Sequence, residues 1–280
     1  MVEEEAEGLN LPHNIESRPR YEAGRARFLW LACGLCSVLM VVGGMTPRIV
    51  ATAPGKQLRP IDFDEVSLLT KMVLVPYGVL GLQLDRSHKF VQAGAEPDKD
   101  TVVVDPAGLR FIQDVGPAGA GGASGAIYSW LGISLHADFP AEVKHAVRRE
   151  GDAKLHKYSG KTVIHAVGPD LNGVAATAEA GSAATKKLTA AYAKIFSQFL
   201  ASDAKTLRLL PISSGIFAGP FFKDLPRMTF ASLDAAFKSL PPSAQRQLLR
   251  RRVQMCIFEK PQFAEYQSAC PTCIQEGRAR

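Results

Sequence analysis

LRLLPISSGIFAGPFF, running from Leu207 to Phe222, is the stretch whose reading decides the fold. Leu207, Leu209, Leu210 and Ile212 form a short apolar run, the pattern of a strand covered on both faces. Ser213, Ser214, Gly215, Ala218 and Gly219 then turn the chain with small residues. Such residues let backbone N–H groups approach an anion, and the two hydroxyls add donors. Behind them, Phe230, Leu233, Phe237 and Leu240 recur at helical spacing between Asp224 and Leu240. The unit is strand, small-residue loop, helix. It suits a phosphate group, although a plain tight connection has the same composition. Similar loops elsewhere in the chain favour the first reading.

Working outward, Thr101 to Asp105 (TVVVD) is a β-branched strand that runs into Pro106-Ala107-Gly108. Asp114 to Ile127 (DVGPAGAGGASGAI) is the most glycine-dense stretch, and a helix with Ile127, Leu131 and Leu135 facing inward follows. No Gly-Lys-Ser/Thr closes this loop, which excludes a Walker phosphate loop, and the dinucleotide glycine fingerprint is not met. A third strand, Thr162 to Val167 (TVIHAV), ends in Gly168-Pro169-Asp170; its His165 reads as a packed, hydrogen-bonded residue. Ser182 to Leu200 is an amphipathic helix with Leu188, Ala191, Ile195 and Phe199 on one stripe. Met72 to Pro76 is a first strand, Leu80, Leu82 and Leu84 an extended piece, and Val253 to Phe258 a final strand. Alternating strands and helices predict a three-layer α/β/α domain with a mixed central sheet, parallel in its middle. In such sheets ligands sit at the carboxyl ends of strands. The loops beginning at Asp105, Gly168 and Ser213 leave three such ends and are expected to share one crevice.

The chain has 280 residues, with 33 Lys+Arg against 27 Asp+Glu for a net charge of +6. This excess is scattered, and no nucleic-acid partner is expected. Residues 1–27 read as a disordered acidic tail. Residues 28–47 carry no charge and are long enough to cross a bilayer as a helix, giving a single-pass membrane anchor near the N-terminus. A cleaved leader, a buried helix and a cytoplasmic chain are the alternatives. Residues 48–70 read as a linker, 71–260 as the domain and 261–280 as a C-terminal tail. Cys270 and Cys273 form a lone C-x-x-C, half of a zinc site at most, and read as a redox-sensitive pair in that tail. No metal and no cofactor is expected.

The strand leading to DPAG, the run GGASGAI, the segment TVIHAVGP and LLPISSGIFAGP together resemble the macrodomain family, which binds ADP-ribose, over about Met72 to Phe258. The resemblance implies that Gly121, Gly122, Ala123, Ser124, Gly125, Ala126 and Ile127 hold one side of a diphosphate. It places Ser213, Ser214, Gly215, Ile216 and Phe217 on the other, with Phe217 as an aromatic wall. Two asparagines usual in the family are Asp105 and Gly108 here, and the acidic residue that receives the adenine amino group has no clear counterpart, Asp85 being a guess. The expectation is therefore a monomeric soluble module for ADP-ribose or ADP-ribosylated proteins. One alternative is an ADP-ribosyl hydrolase in which Asp105 or Ser124 positions water. Another is a membrane-tethered interaction domain that has lost its ligand.

Overall fold

The structure, a computed structural model, describes residues 67–276 except His88. The acidic tail 1–27, the apolar segment 28–47 and most of the expected linker lie outside the described residues. No described helix is long and apolar enough to cross a membrane.

Among the described residues seven strands form the main sheet: β1 (Val73–Val75), β4 (Thr101–Pro106), β5 (Ala153–Tyr158), β6 (Lys161–Ala166), β7 (Thr206–Leu209), β8 (Arg252–Cys256) and β9 (Ile274–Gln275). Their order is β5-β6-β4-β7-β8-β1-β9. All neighbouring pairs are parallel except β5 with β6. A separate antiparallel hairpin joins β2 (Leu82–Leu84) to β3 (Phe90–Gln92).

Side chains alternate across the sheet as the pleat requires. Val102, Val104, Leu207, Leu209, Val253 and Met255 face one core cluster, and Val103 and Cys256 the other. The first face is covered by α3 (Ala178–Leu200) and α4 (Leu225–Lys238), with α5 (Pro242–Leu249) and α6 (Lys260–Ala269) beside them. The expected stripe of Leu188, Ala191, Ile195 and Phe199 is buried there. Each fully buried Phe or Leu contributes on the order of 1.5–3 kcal/mol. On the second face α1 (Gly122–Leu131) lies against β4 and α2 (Ala141–Ala146) against β5.

Several boundaries differ from expectation. The domain begins by Ser67, whose hydroxyl donates to Asp234 at 2.6 Å, and Leu68 and Leu69 are core residues, so the linker stops short of them. The expected tail is part of the fold: α6 packs against α4, Cys270 and Cys273 form a buried disulfide, and β9 extends the sheet. Val253 to Phe258 is therefore not the final strand. Leu135 lies past the end of α1 and is 89% exposed, because Gly132 ends that helix in a left-handed cap.

Candidate functional site

The three loops read from the sequence leave β6, β4 and β7, which are consecutive and parallel in the sheet. Their carboxyl ends therefore open on one side, and side-chain contacts tie the loops together. Ser213 Oγ donates to the Pro169 carbonyl at 2.6 Å, and Asn172 Nδ2 to the Ile216 carbonyl at 2.7 Å. The Leu171 N–H donates to the Phe217 carbonyl at 3.0 Å. A Cβ built on Gly168 would collide with Ser213 Oγ, so this close approach requires glycine there.

The glycine-dense stretch is helical sooner than expected. Gly121 is the extended N-cap of α1, no side chain caps the helix, and the Gly125 N–H already donates to the Gly121 carbonyl at 3.1 Å. The first four N–H groups, those of Gly121, Gly122, Ala123 and Ser124, thus have no intrahelical acceptor and lie at the positive end of the helix dipole. Gly121, Gly122 and Ala123 are exposed, and Ser124 is half-buried. Ile127 is fully buried and joins the second core cluster, and Ala126 packs against it. These two anchor the helix, and only the first turn presents free amides.

The Ser/Gly loop offers backbone as well. Ser214 caps a short 3-10 turn, Gly215–Phe217, and Gly215 sits at φ +60° with nothing within 4 Å of a built Cβ. That left-handed conformation favours glycine. The two serine hydroxyls are not the free donors expected: Ser213 bonds Pro169, and Ser214 Oγ donates to the Pro211 carbonyl at 2.7 Å. They brace the turn, while among the described residues the N–H groups of Ser214, Gly215 and Ile216 have no acceptor. Ile216 is 80% exposed and Phe217 half-buried.

Phe217 reaches the loop after β4. A Cβ at Gly108 would lie 3.9 Å from Phe217 Cζ and 2.9 Å from Phe111 Cδ2. The Phe111 ring therefore crowds the space in which a side chain at position 108 would begin.

Asp105 differs most from its expected setting. It is fully buried, and three side chains donate to its carboxylate: Ser124 Oγ to Oδ1 at 2.6 Å, Tyr128 Oη to Oδ2 at 2.7 Å, and His165 Nδ1 to Oδ2 at 2.7 Å. His165 Nε2 lies 2.9 Å from the Tyr158 hydroxyl, so a ring carrying its proton on Nδ1 satisfies both neighbours. Burial first, then the Asp105 charge, hold the Tyr128 and Tyr158 phenols above the ordinary tyrosine range, as neutral donors. The network clamps the first turn of α1 to the ends of β4 and β6. His165 is thus the packed, bonded residue the sequence indicated. Tyr128 escaped notice because one tyrosine on an apolar helix face looks like core.

Asp85 Oδ1 accepts from Ser87 N at 2.7 Å and Lys89 N at 2.9 Å, closing the turn between β2 and β3. Among the described residues no cluster of His, Cys, Asp or Glu is arranged to hold a metal.

No curated protein matches the chain. Among solved structures the chain is similar to a Trypanosoma brucei macrodomain in complex with ADP-ribose, at 18% identity over 71% of this chain and 68% of that one, with TM-score 0.46. It is also similar to an Oceanobacillus iheyensis macrodomain with ADP, at 17% identity over 70% of this chain and 88% of that one, with TM-score 0.44. The Macro domain family model matches residues 117–224, a span that contains both the Gly121–Ile127 and the Ser213–Phe217 segments. Over residues 117–224 the chain is similar to the Macro domain family.

Proposed function

We propose that the domain is a binding module for ADP-ribose, free or attached to protein, with the diphosphate held by backbone amides of two loops. The observation that carries this is the convergence at the ends of β4 and β7. The uncapped first turn of α1 is tied to β4 through Ser124 and Asp105, and Phe217 of the other loop reaches Gly108 behind the same strand. Gly121, Gly122, Ala123 and Ser124 supply amides from one side, and Ser214, Gly215 and Ile216 from the other. A helix N-terminus and a turn of exposed N–H groups are both suited to phosphate oxygens. In this reading Phe217 walls the pocket, Ser213 and Ile127 support it, and Asp105 positions the glycine turn, its oxygens being occupied by three donors. The adenine is held without the family's acidic residue, so selectivity for the base is low. Segment 28–47 remains in this reading as a single-pass tether, on its length and lack of charge; release of the full chain from membranes by alkaline carbonate would refute that part.

Titration calorimetry of the chain with ADP-ribose tests the main reading. A saturable heat, competed by ADP and matched by AMP only at much lower affinity, is expected. No heat with ligand at about 1 mM would place the interaction below roughly 4 kcal/mol and overturn it.

A further inference from the structure

α1 and α2 cover only the β4-β6-β5 half of the second sheet face. Over the other half, segment 76–98 roofs a cavity of about 600 Å3 whose floor carries Arg208 of β7 and Gln254 of β8. Both point there because their strand neighbours, Leu207, Leu209, Val253 and Met255, face the helix-covered core.

Arg208 is 6% exposed. A guanidinium this deep has lost most of its hydration, at several kcal/mol unless partners replace the water. Its Nε donates to Gln254 Oε1 at 3.1 Å and its Nη1 to the Val79 carbonyl at 3.0 Å. That engages two of the five N–H groups of an arginine. The carboxylate of Glu276 on the same cavity is taken by Arg252 at 2.9 Å and by the Tyr77 hydroxyl at 2.8 Å, and among the described residues none pairs with Arg208. Gln254, 3% exposed, uses its oxygen on Arg208, and its amide nitrogen has no acceptor among the described residues. Among the described residues, a buried cation with no carboxylate partner and a neighbouring amide nitrogen with no protein acceptor thus face an open volume.

The remaining wall selects the rest of a ligand. The Tyr77 ring, 6.0 Å from the Arg208 guanidinium carbon, stands with Pro76, Ala93 and Ala95 around the space. Burial first, then the bond to Glu276, push the Tyr77 pKa up to about 12, so this wall is neutral at physiological pH. Exposed Glu96 and Asp98 sit at the rim and repel a dianion.

We propose that this cavity binds a small monocarboxylate with a flat apolar body, its two oxygens on the free edge of Arg208 and the Gln254 amide, its body against Tyr77 and Pro76. Arg matches a planar carboxylate in a fork that no point charge reproduces. The site is separate from the diphosphate loops, and stands or falls independently of them.

Saturation-transfer NMR on the full chain, with benzoate as probe, tests it. Benzoate is expected to receive transfer, neutral benzamide at least about ten-fold less, and neither inorganic phosphate nor ADP-ribose is expected to displace benzoate. Gln254→Glu sets a carboxylate beside Arg208 in an isosteric frame, so the melting temperature holds or rises while benzoate binding falls at least about ten-fold; Arg208→Met loses binding likewise. Absent transfer in the wild type, equal binding of benzamide, displacement by phosphate or ADP-ribose, or unchanged benzoate binding in a folded Gln254→Glu protein would each overturn the proposal.

Discussion

The carboxyl ends of β6, β4 and β7 and the sheet face beneath segment 76–98 are both polar, but they are polar in different ways. At the strand ends the groups on offer are backbone amides, and the nearby side chains are spent on bracing: Ser213 and Ser214 on carbonyls, Asp105 on Ser124, Tyr128 and His165. Beneath the roof, Arg252 is paired with Glu276, and one side chain, Arg208, supplies a positive charge that no carboxylate of the described residues meets. A surface made of amides depends on geometry, and a substitution damages it by blocking or by loosening the brace. A surface made of one guanidinium depends on chemistry, and an isosteric change of a neighbour can silence it. Four experiments probe that contrast.

The largest effect belongs to the brace. Asp105→Ala leaves three donors without their acceptor and should lower stability by roughly 3–5 kcal/mol, read from the urea midpoint, with ADP-ribose affinity falling as the α1 turn loosens. A change below about 1 kcal/mol would mean that the network is incidental. Next comes blocking. Gly215→Glu puts a bulky anion at a left-handed residue facing open space, so ADP-ribose affinity should drop by about a hundred-fold or more, roughly 2.7 kcal/mol, while folding loses only about 1–2 kcal/mol. Retained affinity would show that the phosphates do not lie there.

A third experiment addresses how the roofed face is held. Replacing Cys270 and Cys273 by serine opens a short loop and should remove about 2 kcal/mol by the chain-entropy account. It should weaken benzoate binding more than ADP-ribose binding, because β9 carries the chain to Glu276 on the cavity wall. The smallest effect is that of Tyr77→Phe, which gives up one hydrogen bond to Glu276, worth about 0.5–1.5 kcal/mol. Its sign with pH is fixed: the folded-state pKa of about 12 exceeds the ordinary value near 10, so the phenol's contribution is whole below about pH 10 and is lost as pH rises toward 12. Urea midpoints at pH 9 and pH 11.5 should therefore fall less steeply for the variant. Parallel profiles would remove Tyr77 from the alkaline balance.

The same contrast governs what could be read from the residues alone. β4, β6 and β7 were legible because each is an apolar or β-branched run followed by small residues, and their order in the sheet makes the three loops converge. The Macro domain match over 117–224 spans β6 and β7. β5 was missed because AKLHKY is half-buried and mostly polar. The signal lay in the turn: Ser159 at φ +43° and Gly160 at φ +85° make a two-residue hairpin between Tyr158 and Lys161. The glycines of the α1 start were read as loop, although glycine also serves as N-cap. α6 looked like tail because of its ten residues only Tyr266 is buried, too few to show a stripe. Arg208 was in plain view within LRLL: a charge inside a strand buried on both faces is out of place unless something meets it.

β1 sits between β8 and β9, so the first strand of the main sheet is completed by the two that are made last. During synthesis on a ribosome, β1 therefore emerges with neither neighbour available, and its two edges stay open until residues 252–256 and 274–275 have left the exit tunnel. Chain closure of this kind has high contact order and slows folding. Ribosome-stalled chains that stop before Arg252 should thus be far more protease-sensitive around Val73 to Val75 than chains that include Glu276.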